Sequence, residues 1–330
     1  MEISREKRQK LAQVARLYYL EDLKQSDIAK ELGVSRPLIS RMLSEARRLG
    51  VVEIRIHEPE DEGTDLLGRL CRRSSLRGGL LIEDAADDRL TNRRLSEATV
   101  RLLEQLRTVR LGVGWGYFVG QLVSCLEEAT KPDSRITDIC PLVGNAGFPI
   151  RNYHSNENVR LLAGYLGAEP HFLYLPALPE SLDEKQVLCS TELYHQICEE
   201  WERMDTALLN ISNYPSTPDF ASVARYGNRL QERRACGRLL AYYYNEAGEI
   251  IRSDEDFAIQ IPLSLLSHCP NVVGVCSANT SVRALRGALR SGRFTHVVAR
   301  AGLAAALLAE EESADSINAG HGIHQKNSRT

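Results

Sequence analysis

Between Lys7 and Leu20 the apolar residues Leu11, Val14, Ala15, Leu17 and Tyr18 recur at helical spacing and predict one amphipathic helix. Ser26 stands where it can cap a second helix, whose apolar face is Ile28, Ala29 and Leu32 and which Gly33 interrupts. Ser35 caps a third, with Pro37 tolerated in its first turn, Ile39, Met42, Leu43 and Ala46 facing inward, and Gly50 as its stop signal. Two short helices joined through Gly33, Val34 and Ser35 have the spacing of a helix-turn-helix. From Val51 to Ile56, Val52, Ile54 and Ile56 alternate with Glu53 and Arg55, which predicts a short strand and a winged form of the motif.

The period then changes. His57 to Gly63 is acidic, contains Pro and Gly, and reads as a linker. Beyond it, strand-like runs at 79–82, 109–113, 136–143, 171–175, 207–211, 239–244, 272–276 and 296–299 are interleaved with helical patterns at 90–106, 119–129, 156–166, 191–201, 282–289 and 302–309. That alternation predicts an α/β domain with a mostly parallel, Rossmann-like sheet, whose ligands bind beyond the carboxyl ends of the strands. The expected organisation is a head over 1–57, a linker over 58–63, a body over 64–310 and an unstructured polar tail over 311–330.

Composition adds the sign of each part. The 330 residues carry a formal net charge of only −3, yet residues 1–57 hold 12 Lys+Arg against 8 Asp+Glu, leaving 29 against 36 for the rest. A basic head is joined to an acidic body. The charged N-terminus and the lack of an apolar run near the ~18 residues of a membrane helix predict a cytoplasmic protein with no membrane partner. None of the eight cysteines forms a CxxC or Cys/His pair, so reduced thiols are expected and no metal or cofactor.

On the third helix the exposed positions are Arg36, Ser40, Arg41, Ser44, Arg47 and Arg48, against the single acid Glu45. Cations displace phosphate counterions, and short polar groups with Arg near a helix start reach base edges in the major groove. Gln25, Ser26, Ser35, Arg36, Pro37, Ser40, Arg41 and Arg47 are the candidate DNA-binding residues. In the body, Gly114, Trp115, Gly116 and Tyr117 follow one strand, Gly144, Asn145 and Gly147 another, and Asn279 and Ser281 a third. Glycine lets backbone amides approach an anion at a helix start, although a tight strand-to-helix turn needs glycine regardless. Ser281 is also a natural helix cap.

Leu17-Tyr18-Tyr19, Gln25 to Ala29, Leu32 to Ser35, Ser40 to Leu43, Gly112 to Gly116, Leu142 to Gly144, Asn156-Glu157, Leu175-Pro176, Ala247 to Glu249 and Ala284 to Leu289 together resemble the SorC family of bacterial sugar-responsive transcriptional regulators. The resemblance spans residues 5–310. It implies a helix-turn-helix head, an effector domain of sugar-phosphate-isomerase-like α/β fold, a homo-oligomer (dimer or tetramer), an operator DNA partner and a small sugar effector, often phosphorylated. It also implies effector contacts at Asn156, Glu157 and Ser212, the last in a loop, 210–218, that lacks its counterpart's usual glycines.

Where members of the family usually carry a small hydroxyl residue, this chain has Tyr117; where they carry Asp, it has Arg238 and Arg300; where they carry Lys, it has Ser281. An Asp accepts from polyol hydroxyls, whereas Arg presents a planar fork suited to carboxylate, phosphate or sulfonate. The expectation is that Arg238 and Arg300 clamp an anionic metabolite and Tyr117 narrows the cavity. The alternative is that both arginines pair with acids such as Asp254 or Glu255. A sugar-phosphate isomerase is the competing function, since fold does not fix activity. Glu157 is its best acid/base candidate, and no Ser/His/Asp, Cys/His or metal spacing accompanies it.

Overall fold

The computed structural model describes residues 5–49, 51–52, 66–127, 134–147, 154–216, 225–254 and 256–326. The chain divides into two units, Met1–Gly63 and Thr64–Thr330.

The first unit contains α1 (Arg5–Tyr19), α2 (Gln25–Glu31) and α3 (Arg36–Arg48). Val14, Ala15 and Leu17 of α1, Ile28 and Ala29 of α2, and Ile39 and Leu43 of α3 form its core. The turn between α2 and α3 uses Gly33 at φ +63°, where a side chain would be strained. Ser26 does not cap α2: the helix starts one residue before it, Lys24 holds the cap position, and the Ser26 hydroxyl lies 3.5 Å from Asp27. The predicted wing strand and the linker lie outside the described residues apart from Val51 and Val52, whose amides bond the Ala46 carbonyl.

The second unit runs α4 (Leu66–Arg73), β1 (Gly78–Ile82), α5 (Asp88–Gln105), β2 (Arg110–Val113), α6 (Tyr117–Glu127), β3 (Asp138–Pro141), α7 (Ser155–Leu166), β4 (Glu169–Pro170), α8 (Leu182–Cys189) and α9 (Glu192–Arg203). It continues through β5 (Thr206–Asn210), β6 (Ser212–Asn213), α10 (Arg229–Glu232), β7 (Ala235–Leu239), β8 (Tyr242–Asn245), β9 (Ile250–Ile251), α11 (Leu263–His268), β10 (Asn271–Val275), α12 (Val282–Arg290), β11 (His296–Arg300) and α13 (Ala301–Lys326). Seven strands form a parallel sheet in the order β1-β11-β10-β5-β2-β3-β4.

Side-chain alternation decides which helices cover which face. Leu208, Val273, Val275 and Val298 pack with α5, α6 and α7 in one core cluster. Their neighbours Ala207, Leu209, Val272, Val297 and Ala299 pack with Trp201 of α9, Leu266 of α11, Leu285 of α12 and Leu307 of α13 in the other. A sheet buried on both faces is the doubly wound arrangement that the near-continuous apolar runs imply. The strand order turns back between β2 and β5, which places a crevice there at the carboxyl rim.

Three expectations need correction. The run 239–244 is not one strand but the end of β7, a tight turn and the start of β8, with Leu240 at φ +50°. Because Leu240 and Ala241 are themselves buried, and the Ala241 amide donates to Gln260 Oε1 at 2.8 Å, no polar break marks the turn. The hairpin belongs to a separate antiparallel sheet, β6-β7-β8-β9. The run 171–175 is not a strand: β4 ends before it at Pro170, and past the His171 amide, which donates to the Ile139 carbonyl at 2.8 Å, Asn145 and Asn156 donate through Nδ2 to the Leu173 carbonyl and the Leu173 amide donates to Asn156 Oδ1. The tail expected to be unstructured from 311 is helical to Lys326. The ion pairs Glu311–Arg290 (3.2 Å) and Glu312–Arg69 (2.5 Å), which a sequence does not display, hold the first turn beyond the body.

Gly144 follows β3 where an added Cβ would lie 2.6 Å from the Leu175 carbonyl oxygen and the Pro176 backbone. Gly144→Ala is expected to cost about 1–3 kcal/mol in urea unfolding, because neither contact is a movable side chain. An unchanged midpoint would show that the Leu175–Pro176 backbone yields.

Candidate functional site

In the head, α3 turns Ile39, Leu43 and Ala46 inward and leaves Arg36, Pro37, Ser40, Arg41 and Ser44 exposed. Ser35, just before the helix, and Ser26, early in α2, are exposed as well, and Gln25 is half-buried. Glu45, the single acid of α3, is held 2.7 Å from Lys7 Nζ of α1. The outer face therefore keeps its cations and small hydroxyls while its one carboxylate is engaged by the neighbouring helix. The side chain of Arg47 lies outside the described atoms.

In the body, the candidates distribute along the carboxyl rim of the parallel sheet. Gly114, Trp115 and Gly116 link β2 to α6; Trp115 is buried, and Gly116 takes φ +113°, a conformation that favours glycine. Only the backbone of Tyr117, at the start of α6, is described. A Cβ on Gly116 would sit 3.5 Å from Asn210 Nδ2, the amide at the end of β5. Asn210 in turn donates to Ser212 Oγ at 2.7 Å, and Ser212 on β6 pairs with Arg238 on β7, which pairs with Tyr243 on β8. The crevice between β2 and β5 thus gathers Gly116, Asn210, Ser212 and Arg238. Arg238 is buried, and Asn210 is 8% exposed with its Oδ1 lacking a hydrogen-bond partner among the described residues. An orphaned buried acceptor costs about 1–3 kcal/mol unless something else fills it.

Other candidates are occupied by the fold. Asn145 and Asn156 both bond the Leu173 backbone through their side chains, and the Asn156 backbone N–H donates to Asn145 Oδ1 at 3.1 Å. Glu157 pairs with Arg160 at 2.7 Å in the first turn of α7. Gly147 is exposed, with open space where a Cβ would be. Ser281 caps α12, accepting from the Ala284 amide at 3.2 Å. Asn279 Oδ1 accepts from Ser277, while Asn213, one residue past Ser212, bonds both the Asn279 carbonyl and the Ser281 amide. That loop is braced against the crevice from β6.

Arg300 does not join Arg238. It ends β11, two strands from β5, and its Nη1 donates to Asp84, which follows β1 and also accepts from the Gly302 amide of α13 at 3.1 Å. Of the anticipated partners, Asp254 pairs instead with Arg229 at 3.1 Å, and Glu255 is outside the described residues. Asp84 and Asn210 were missed because an acid or amide near a strand end carries no motif; only the strand order shows which rim residues are neighbours. Among the described residues no group of three His, Cys, Asp or Glu is placed to hold a metal ion, and no helix is long and apolar enough to cross a membrane.

Residues 62–309 match the family described as "Putative sugar-binding domain". The chain is 27% identical over 298 residues to the sorbitol operon regulator of Klebsiella pneumoniae, covering 86% of this chain and 92% of that one. This chain belongs to the SorC family of transcriptional regulators. It is also 25% identical to the deoxyribonucleoside regulator of Bacillus subtilis over 309 residues, 90% of this chain and 96% of that one. The crystal structure of the full-length Klebsiella SorC shares the fold with a TM-score of 0.73 at 24% identity, over 91% of this chain and 98% of that chain. The SorC-family assignment makes the protein an effector-controlled regulator rather than an isomerase, consistent with a Glu157 engaged by Arg160.

The Arg300 hydrogen bond, opposed by burial and reinforced by the Gly302 amide, holds the Asp84 carboxyl below its ordinary value of 3.8. A depressed folded value means that this stabilisation is complete above 3.8 and is lost as the pH falls through the folded value. Asp84→Asn should therefore flatten the acid limb of the stability profile measured by urea unfolding. A variant that loses stability with acid as steeply as the parent would show that the pair contributes nothing.

Proposed function

We propose that the protein binds operator DNA through the outer face of α3, as a dimer or tetramer in the cytoplasm, and that a small metabolite in the β2/β5 crevice sets its operator affinity. The effector carries both an anionic group and a hydroxyl. The observation that carries this reading is the buried Asn210 Oδ1, unpartnered among the described residues, beside the start of α6 and in one row with Ser212 and the buried Arg238. A hydroxyl donates to the amide oxygen, and the guanidinium fork and the α6 amides receive the anion. The relatives are named for a sorbitol operon and for deoxyribonucleosides, hydroxyl-rich compounds, which supports the first half of this description. With Arg300 engaged by Asp84, the anion falls to Arg238 rather than to a pair of arginines.

Effector binding favours one arrangement of subunits and so changes the spacing of paired heads, which must meet major grooves roughly one turn, ~34 Å, or a multiple apart. The operator affinity then shifts by the ligand's differential affinity for the two arrangements.

In calorimetry with a screened effector, Arg238→Ala and Asn210→Ala should each weaken binding about tenfold or more, the loss expected for a charged or buried hydrogen bond. Unchanged affinity in both would remove the site from the crevice. For the head, Arg36→Ala or Arg41→Ala should cost about 1–3 kcal/mol in fluorescence anisotropy and relax selectivity at one operator position. Equal weakening on every sequence would mark phosphate contact instead of base reading.

A further inference from the structure

A cavity of about 80 Å³ opens at the amino rim of the sheet, among the ends of α5 and α7, the side of α6 and the segments leading into β2 and β3. Leu103, Leu111, Leu122, Ile136, Leu162 and Leu166 line it, all buried and all of one core cluster. Protein interiors close such gaps, because a wall without partner atoms forfeits its dispersion contacts. Here the gap stays, and its mouth is polar: exposed Glu104 and Arg107 at the end of α5, and exposed Arg135 with half-buried Ser134 before β3. Among the described residues the Arg107 and Arg135 guanidinium groups have no hydrogen bond or ion pair.

Arg107 stands in the left-handed region, at φ +53°, directly after α5, where glycine is the usual residue and another is strained. Ending the helix does not require its guanidinium, since the Leu106, Arg107 and Thr108 backbone amides already donate to the Leu102, Glu104 and Leu103 carbonyls. What an arginine adds at this strained position is a cation at the mouth of an apolar cavity. Arg135 adds a second, and Glu104 the one opposing charge, so two cations against one acid leave one net positive charge. Backbone amides close the last turns of both α5 and α7, which reduces the negative end that each helix presents there.

We propose that this cavity binds a short-chain aliphatic carboxylate, with its tail among the leucines and its head between Arg107 and Arg135. An enclosed apolar cavity of about 150 Å³ accepts benzene, so 80 Å³ suits a tail of about three carbons. Guanidinium forks bind a carboxylate through paired hydrogen bonds. The Ser134 hydroxyl, which accepts from the Ile136 amide at 3.2 Å, keeps its own proton to donate. A carboxylate's single charge matches the mouth, whereas a phosphate monoester would bring about −1.5 to −2. The site is separate from the β2/β5 crevice, which lies at the carboxyl rim, and does not rest on the function proposed for it.

The test uses the full chain and butanoate, followed by saturation-transfer NMR at constant ionic strength with chloride as the balancing anion. Saturable binding is expected. Acetate, shorter by two methylenes, should bind about tenfold more weakly, and butan-1-ol, which lacks the charge, should also lose about tenfold. Arg135→Ala should weaken butanoate binding about tenfold. Arg107→Gly should weaken it as much without lowering the Tm, because glycine suits the left-handed position, and misfolding cannot produce that combination. Glu104→Gln should tighten binding by removing a like charge. Absence of saturable binding, equal affinity for butanoate and butan-1-ol, or indifference to Arg107→Gly and Arg135→Ala would each overturn the proposal. So would binding that is lost in Arg238→Ala and kept in Arg107→Gly, which would place the ligand in the crevice.

Discussion

A parallel sheet buried on both faces has no solvent-facing surface of its own, so whatever this body does with small molecules must happen at its two rims. Every other feature of the second unit follows from that constraint. The apolar alternation along β5, β10 and β11 feeds two separate cores, one against α5, α6 and α7 and one against α9, α11, α12 and α13. The strands therefore deliver their loops to the carboxyl rim and the helix ends to the amino rim. Where the strand order reverses, between β2 and β5, helices leave in opposite directions and a crevice remains.

The carboxyl rim shows how few of its polar residues are available to a ligand. Asn145, Asn156, Asn213 and Ser281 each bond backbone, and Asp84 bonds Arg300 and the start of α13. Loops that cross a buried rim have backbone groups to satisfy, and amide side chains do this with an NH2 that donates and an oxygen that accepts. What distinguishes Asn210 is that, among the described residues, its Nδ2 is engaged and its Oδ1 is not.

Much of this was legible in the residues alone, and the failures have physical causes. The helices of the head and the parallel strands followed from periodicity, because burial on one or both faces writes directly into the apolar pattern. The turn at Leu240 and Ala241 was invisible because it is buried, and α8 was invisible because none of its residues is buried and so no period exists to read. The type of residue at the rim could be read, whereas its neighbours could not. Arg238 and Arg300 looked alike as replacements of acids, yet they stand in different sheets, Arg238 on β7 and Arg300 at the end of β11, where it has a carboxylate of its own.

The far edge of the sheet carries one more implication. β4 contributes only Glu169 and Pro170 to the ladder, and three residues later the Leu173 backbone is already satisfied by the side-chain amides of Asn145 and Asn156. An exposed strand edge is a template on which another chain's strand can add, and proteins must blunt it to remain soluble. Here the blunting is done by asparagines that a sequence reader assigns to ligand binding. At this edge an incoming strand would meet only the two-residue row of β4, so strand addition there gains few hydrogen bonds.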